Sequence, residues 1–197
     1  MDINQKKKIK AVAREWIESI LIAFVLAMFI RTFFFQAFKI PSGSMRPTLI
    51  EGDRLLVNKL RYGAKLPFIN KRLPGFTKPK RGDVVVFAYP EDRKRDFIKR
   101  LIAAGGETVE IKSGDIYING RLVEDPLLKK VYYYNREDSK YGKINQKVSV
   151  PKGFYFVLGD NSGSSHDSRY WGFVPESDLI GRAELLYWPP NRIRFIK

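Results

Sequence analysis

The chain's longest uninterrupted hydrophobic pattern lies near its start. From Ile17 to Phe38 it reads IESILIAFVLAMFIRTFFFQAF, and Ile20–Ile30 contains no polar side chain. As a helix rising 1.5 Å per residue this run is about 33 Å long, close to the ~30 Å hydrocarbon core of a bilayer. A buried soluble helix would show a polar face, and a cleaved signal peptide would carry small residues after the apolar run. Here the run is apolar all round and continues into Arg31-Thr32-Phe33-Phe34-Phe35. The pattern therefore predicts a retained membrane helix over residues 16–38. Glu18 is near one end, whereas Arg31 is deeper, where a charge is costly unless it reaches the interface or a polar partner.

Beyond the span the period shortens to that of strands. Arg54–Asn58, Asp83–Phe87, Thr108–Ile111, Asp115–Ile118, Phe154–Leu158 and Ala183–Trp188 are short β-branched or aromatic runs bounded by turn residues. Asn119-Gly120, between Ile118 and Arg121-Leu122-Val123, is a two-residue hairpin signal. No long soluble helical pattern appears. The expected fold class is mainly β: an antiparallel β domain over 39–197 with one N-terminal transmembrane helix, preceded by a basic segment, 1–15. Residues 62–80 and 124–147 are polar and contain glycine, proline or tyrosine, and read as loops or insertions. Tyr132–Tyr134 read as surface or edge-strand residues.

Charge adds an orientation. The formal net charge is +15, of which residues 39–197 carry +12. The lysine cluster Lys6-Lys7-Lys8-Lys10 precedes the span, so the positive-inside rule puts the N-terminus in the cytoplasm and everything after Phe38 outside it, on a cytoplasmic (inner) membrane protein. The basic excess fits a surface facing anionic headgroups, making membrane lipid a partner. No zinc-finger or RRM signature accompanies it, so no nucleic acid partner is expected. With no cysteine and a single histidine, His166, the chain has no disulfide framework and no usual zinc site. No metal and no cofactor is expected.

Candidate chemistry centres on Ile40-Pro41-Ser42-Gly43-Ser44-Met45-Arg46-Pro47-Thr48-Leu49, where a serine between glycine and methionine is braced by two prolines just after the span. As a nucleophile Ser44 needs a base. His166, beside Asp167 in a polar loop, leaves a Ser-His-Asp triad open, although a solvated loop histidine is the simpler reading. Lys99 is the other candidate. It lies in Asp96-Phe97-Ile98-Lys99-Arg100-Leu101-Ile102, where alternation puts it on the face of Phe97. Spacing alone favours an ordinary solvent-facing strand lysine, but an apolar setting would lower its pKa and leave a neutral amine able to act as general base.

Four blocks in order resemble bacterial type I signal peptidases, membrane-anchored Ser/Lys peptidases that remove signal peptides from exported preproteins. They are Pro41–Leu49 continuing to Gly52-Asp53 and Leu56-Val57-Asn58-Lys59; Arg81–Phe87; Phe97-Ile98-Lys99-Arg100; and Gly159-Asp160-Asn161 followed by Ser165 and Asp167–Pro175. The resemblance implies that Ser44 is the nucleophile and Lys99 the general base. It implies an oxyanion hole from the Ser42 hydroxyl and the Ser44 N–H, with Ser165 orienting the Lys99 amine. Asp160, Asp167 and Arg169 would be structural support, and His166 would have no role. The family cleaves after small residues, Ala-X-Ala, so Ile40, Met45, Leu49, Phe97 and Ile98, with Phe38 and Val86 nearby, would line shallow pockets for preprotein signal peptides. Core packing is the simpler role for each. The chain departs from the family at Ala103-Ala104-Gly105-Gly106-Glu107, where a glycine and then a proline-glycine-aspartate turn is usual; the departure bears on the turn, not on the catalytic pair. Two other readings stay open. One is a self-cleaving repressor, which uses a similar Ser/Lys pair but carries a DNA-binding helix-turn-helix in place of the span. The other is a non-enzymatic anchored basic protein.

Overall fold

The computed structural model describes residues 3–66 and 72–197. Helix α1, Ile3–Phe33, contains a stretch, Val12–Phe33, whose length, mean hydropathy of 1.8 and lack of buried residues suit a single membrane span. The helix ends five residues earlier than the hydropathy predicts. Phe35–Lys39 instead forms strand β1, which pairs antiparallel with β2, Arg54–Asn58, from Phe35↔Asn58 to Lys39↔Arg54. The phenylalanines that extend the apolar run also suit a strand, Ile40 precedes a proline that disfavours helix, and backbone pairing with β2 decides the matter. This places Arg31 in the last helical turn, where a cation complements the helix dipole.

The remaining strands are β3 (Val84–Tyr89), β4 (Asp92–Ala104), β5 (Thr108–Lys112), β6 (Asp115–Ile118), β7 (Arg121–Leu122), β8 (Val148–Ser149), β9 (Phe154–Leu158), β10 (Val174–Pro175), β11 (Leu179–Trp188) and β12 (Arg194–Phe195). All pairing among the described residues is antiparallel. One sheet runs β1-β2-β11-β3-β4-β9-β10, with β12 on β11, and a second runs β7-β6-β5-β8. The Asn119-Gly120 signal is realised between β6 and β7, with φ of 51° and 77°, values that asparagine and glycine tolerate best.

Three apolar clusters hold the sheets. Ile40, Met45, Leu49, Leu55, Val57, Val84, Val86, Ala183 and Leu186 pack beneath the Ser44 segment. A second cluster, including Val85, Phe87, Leu101 and Val157, packs on the opposite face of β3 and β4. A third joins the small sheet to Ile102, Phe156 and Leu158. Strand β4 is the spine. Its first residues are charged and exposed, whereas Lys99–Ala103 are buried between β3 and β9.

The turn at Ala103–Glu107, where the chain departs from the expected pattern, is closed by Glu107. The Glu107 carboxylate accepts from Ala104 N–H (2.8 Å) and pairs with Arg81 (2.6 Å). The loops expected at 62–80 and 124–147 contain only isolated bridges, Lys65↔Arg72 and Gly114↔Tyr133; residues 67–71 lie outside the described residues. Tyr133 corrects one expectation. It is buried, packing in the third cluster, and only its neighbours Tyr132 and Tyr134 face solvent.

Candidate active site

Ser44 lies in a single 3-10 turn, Gly43–Met45, that the flanking prolines lead into and out of. Met45 and Leu49 bury their side chains below, and Leu49 N–H closes on the Met45 carbonyl at 2.9 Å. Gly52, at φ +90°, permits the tight return by which Asp53 N–H reaches the Ile50 carbonyl. The Asp53 carboxylate then accepts from Ile50 N–H (2.9 Å) and pairs with Arg192 through two 3.0 Å bonds. From the other side Asn161 clamps the turn: its N–H donates to the Ser44 carbonyl and its Nδ2 to the Gly43 carbonyl, both at 3.0 Å. Among the described residues the Ser44 N–H, at the start of the turn, donates to no internal acceptor.

Lys99 reaches this serine across the sheet. Register Val85↔Lys99 places it in mid-strand on β4, it is 4% exposed, and its Nζ lies 2.7 Å from Ser44 Oγ. The solvent-facing reading of Lys99 is thereby overturned. Burial pulls its pKa from 10.5 down to about 8; the nearby Asp167 and Asp160 charges oppose that fall, and Arg169 adds to it. Among the described residues Ser44 Oγ is the sole hydrogen-bond partner of Nζ. A buried ammonium would leave two N–H groups without acceptors, whereas a neutral amine needs only the serine hydroxyl. His166 makes no such contact: it is exposed, stacks on Tyr170 and lies 3.3 Å from the Tyr89 hydroxyl.

The supporting residues form two buried ion pairs on the segment that follows β9. Asp160 takes a bidentate pair from Arg100, at 2.8 and 2.7 Å, and a 2.5 Å bond from the Thr48 hydroxyl. Asp167 and Arg169 are both fully buried, paired at 2.8 Å, and Asp167 also accepts from Gly159 N–H. Arg169 spends its remaining donors on the Tyr134 carbonyl and on Ser162, tying the 124–147 loop to this segment. Gly159 has no room for a side chain: a β-carbon there would stand 2.2 Å from Ser165 Oγ and 2.5 Å from the Ser44 carbonyl oxygen. Ser165 is thus beside the Ser44 backbone, but its buried hydroxyl makes no hydrogen bond in this geometry, to Lys99 or to any other described group. Ser42 is exposed, and its side chain caps nothing.

Of the residues expected to line a pocket, Phe38, Ile40, Met45, Leu49, Val86 and Ile98 gather in one cluster. Phe38 and Ile98 retain exposed surface, while the other four are buried beneath them. Phe97 packs with the other cluster, stacked on Tyr89 with ring centres 4.3 Å apart. Residue patterns gave no role to Arg100, Thr48 or Asn161. The available signal was an arginine in a strand otherwise closing into apolar residues, which requires a buried carboxylate.

This serine–lysine contact on an antiparallel fold is accompanied by similarity along almost the whole chain. Residues 13–188 match the family described as signal peptidase, peptidase S26. The chain belongs to the signal peptidase I family. It is 39% identical to signal peptidase I of Leptolyngbya laminosa over 186 residues, covering 91% of this chain and 81% of that one. It is 35% identical to signal peptidase I P of Bacillus subtilis subsp. natto, covering 98% and 99%, and 35% identical to signal peptidase I of Pseudomonas aeruginosa, covering 85% and 70%. The protein is accordingly a signal peptidase I enzyme that removes signal peptides from preproteins, and its one apolar N-terminal helix fits a membrane-anchored peptidase. The match spans most of the helix and strands β1–β11, which leaves the repressor and non-enzymatic readings without support.

Proposed function

We propose that this peptidase cleaves through a Ser44/Lys99 dyad, after small residues of Ala-X-Ala type, with its N-terminus in the cytoplasm and its β domain on the outer face of the cytoplasmic membrane. The observation that carries the reading is the 2.7 Å contact between Ser44 Oγ and a buried Lys99 amine whose pKa is pulled down to about 8. Neutral Lys99 accepts the Ser44 proton as Oγ attacks the scissile carbonyl carbon. The resulting ammonium then protonates the leaving amine, giving an acyl-enzyme and the released mature chain. Lys99, neutral again, takes a proton from the water that attacks the ester, and returns it to Ser44 Oγ. The free Ser44 N–H and the Ser42 hydroxyl receive the oxyanion. Ser165, buried without a partner beside the Ser44 backbone, offers the amine a hydrogen bond once Ser44 Oγ is acylated. Asp160, Asp167 and Arg169 hold the segment behind the dyad. Phe38 and Ile98 supply the accessible walls of the substrate pocket over Ile40, Met45, Leu49 and Val86, whereas Phe97, packed on the opposite face of β4, stays outside it.

The test is cleavage of a preprotein by detergent-solubilised protein. Ser44→Ala loses cleavage and His166→Ala retains it in full; an active Ser44→Ala or an inactive His166→Ala sinks the dyad. For the wild type, kcat/KM rises with pH along a limb centred near pH 8, because the free enzyme must lose the Lys99 proton before it can act as base. A limb centred well below pH 8 would count against Lys99 as the base.

A further inference from the structure

Helix α1 buries none of its membrane-length stretch against the β domain, so its direction is set where it ends. Three contacts meet there. Phe34 N–H donates to the Ile30 carbonyl at 2.9 Å, completing the last turn. Lys59 N–H donates to the Phe34 carbonyl at 2.9 Å. The Lys59 ammonium then donates to the Arg31 and Thr32 carbonyls, at 3.0 and 3.3 Å. Those carbonyls belong to the unsatisfied end of the helix, where the dipole concentrates partial negative charge. A lysine from the other side of a strand pair thus performs the capping that a helix usually obtains from its own following residues.

Lys59 is half-buried, and burial lowers the pKa of its ammonium from the usual lysine value; of the charges around it, Arg31 on the helix adds to that fall and Asp96 on β4 opposes it. It immediately follows β2, and β2 pairs residue by residue with β1, which leads from the helix to Ile40. At Ile40 the ladder continues, since Ile40 N–H donates to the Asp53 carbonyl and Gly52 N–H to the Ile40 carbonyl, both at 2.9 Å. The helix end and the Ser44 turn are therefore opposite ends of one paired ribbon, roughly 17 Å apart for five extended residues. Rotation of the helix about its end would alter the height and tilt of that ribbon over the bilayer.

We propose that Lys59 is a positioning residue that, by capping the last carbonyls of the membrane helix, fixes the height and angle at which the catalytic ribbon faces a substrate embedded in the same bilayer. The proposal rests on the membrane topology and Ser44/Lys99 dyad given above. It concerns presentation alone: Lys59 touches neither Ser44 nor Lys99, and a short soluble peptide, free to approach at any angle, does not need it.

Full-length protein in phospholipid vesicles is assayed on two substrates with one cleavage site, a preprotein whose signal segment is inserted in the vesicle and a soluble peptide spanning the site. Lys59→Met lowers kcat/KM for the inserted preprotein about tenfold, in keeping with the upper range for a partly buried charge at a helix end. Peptide cleavage stays within about twofold, since the dyad is untouched. Lys59→Arg, which keeps a cationic donor, restores preprotein cleavage. Lys59 borders a hollow of about 240 Å³ at the helix–domain junction, so the methionine side chain meets no packed wall. Equal loss on both substrates, no loss on either, or an arginine variant as poor as methionine overturns the proposal. Loss of the dyad reading would look different, as Ser44→Ala would still cleave the peptide. A second readout is independent of turnover. The chain has no cysteine, so spin labels can be attached at Ile22→Cys in the helix and Lys152→Cys in the domain. The label-to-label distance distribution broadens in Lys59→Met and narrows again in Lys59→Arg; an unchanged distribution counts against the proposal.

Discussion

Lys99→Met abolishes preprotein cleavage and at the same time makes the folded protein harder to unfold. Removal of a general base costs roughly 10²–10⁴ in rate. The stability gain follows from burial. A lysine whose pKa falls from 10.5 unfolded to about 8 folded carries a penalty of about 3 kcal/mol at most, at 1.36 kcal/mol per unit. Below pH 8 both states are protonated and the penalty is complete. Between about 8 and 10.5 the unfolded chain holds a proton that the folded one has released, so wild-type stability rises with pH. Above 10.5 the penalty is gone. Methionine fills a similar volume without charge, so denaturant midpoints should favour the variant most at pH 7 and converge with wild type as pH approaches 10.5. A variant less stable than wild type at pH 7 would mean that Lys99 is not held in the desolvated state its burial implies. The catalytic role proposed for Lys99 and its cost in stability are opposed, as is common in active sites.

Arg169→Met has the opposite character: it costs about 3–5 kcal/mol, because it strands the fully buried Asp167 carboxylate without its partner. It also removes the bonds that Arg169 gives to the Tyr134 carbonyl and to Ser162, loosening the 124–147 loop, which keeps its bonds from Tyr134 N–H to Ser162 and from Tyr141 N–H to the Arg169 carbonyl. Urea unfolding measures the loss directly. The double variant Asp167→Asn, Arg169→Met recovers part of it, since no unpaired charge remains. A loss below about 1 kcal/mol would class the pair with exposed ion pairs and contradict its burial.

Much of the fold was legible from residue patterns. Arg54–Asn58, Asp115–Ile118 and Phe154–Leu158 occupy the expected limits because apolar residues stop at turn-forming neighbours on both sides. The start of β4 was hidden, since Asp92-Arg93-Lys94-Arg95 is charged enough to pass for loop, and only pairing with β3 extends the strand through it. β1 was hidden for the reverse reason: its phenylalanines merge with the span in any hydropathy profile. Tyr133 was hidden because its burial depends on a bridge to Gly114, nineteen residues away. Within the site, the residue types at 44 and 99 were visible as candidates, but their contact joins residues 55 apart in sequence and had no local signature. Family resemblance, not periodicity, raised Lys99 above an ordinary strand lysine. The pairing of Arg100 with Asp160, across 60 residues, was likewise beyond any spacing argument.

Both halves of the dyad are tied to the core, by different means. Lys99 belongs to β4, flanked by paired strands on both sides, so its backbone amide should exchange with solvent only when the domain unfolds. Ser44 sits on one short turn, clamped from outside by Asn161 and rooted below by the fully buried Met45 and Leu49. Parting Oγ from Nζ therefore means drawing those two side chains out of the cluster that β2, β3 and β11 share. Denaturant should silence the peptidase together with the loss of strand seen by circular dichroism, not before it.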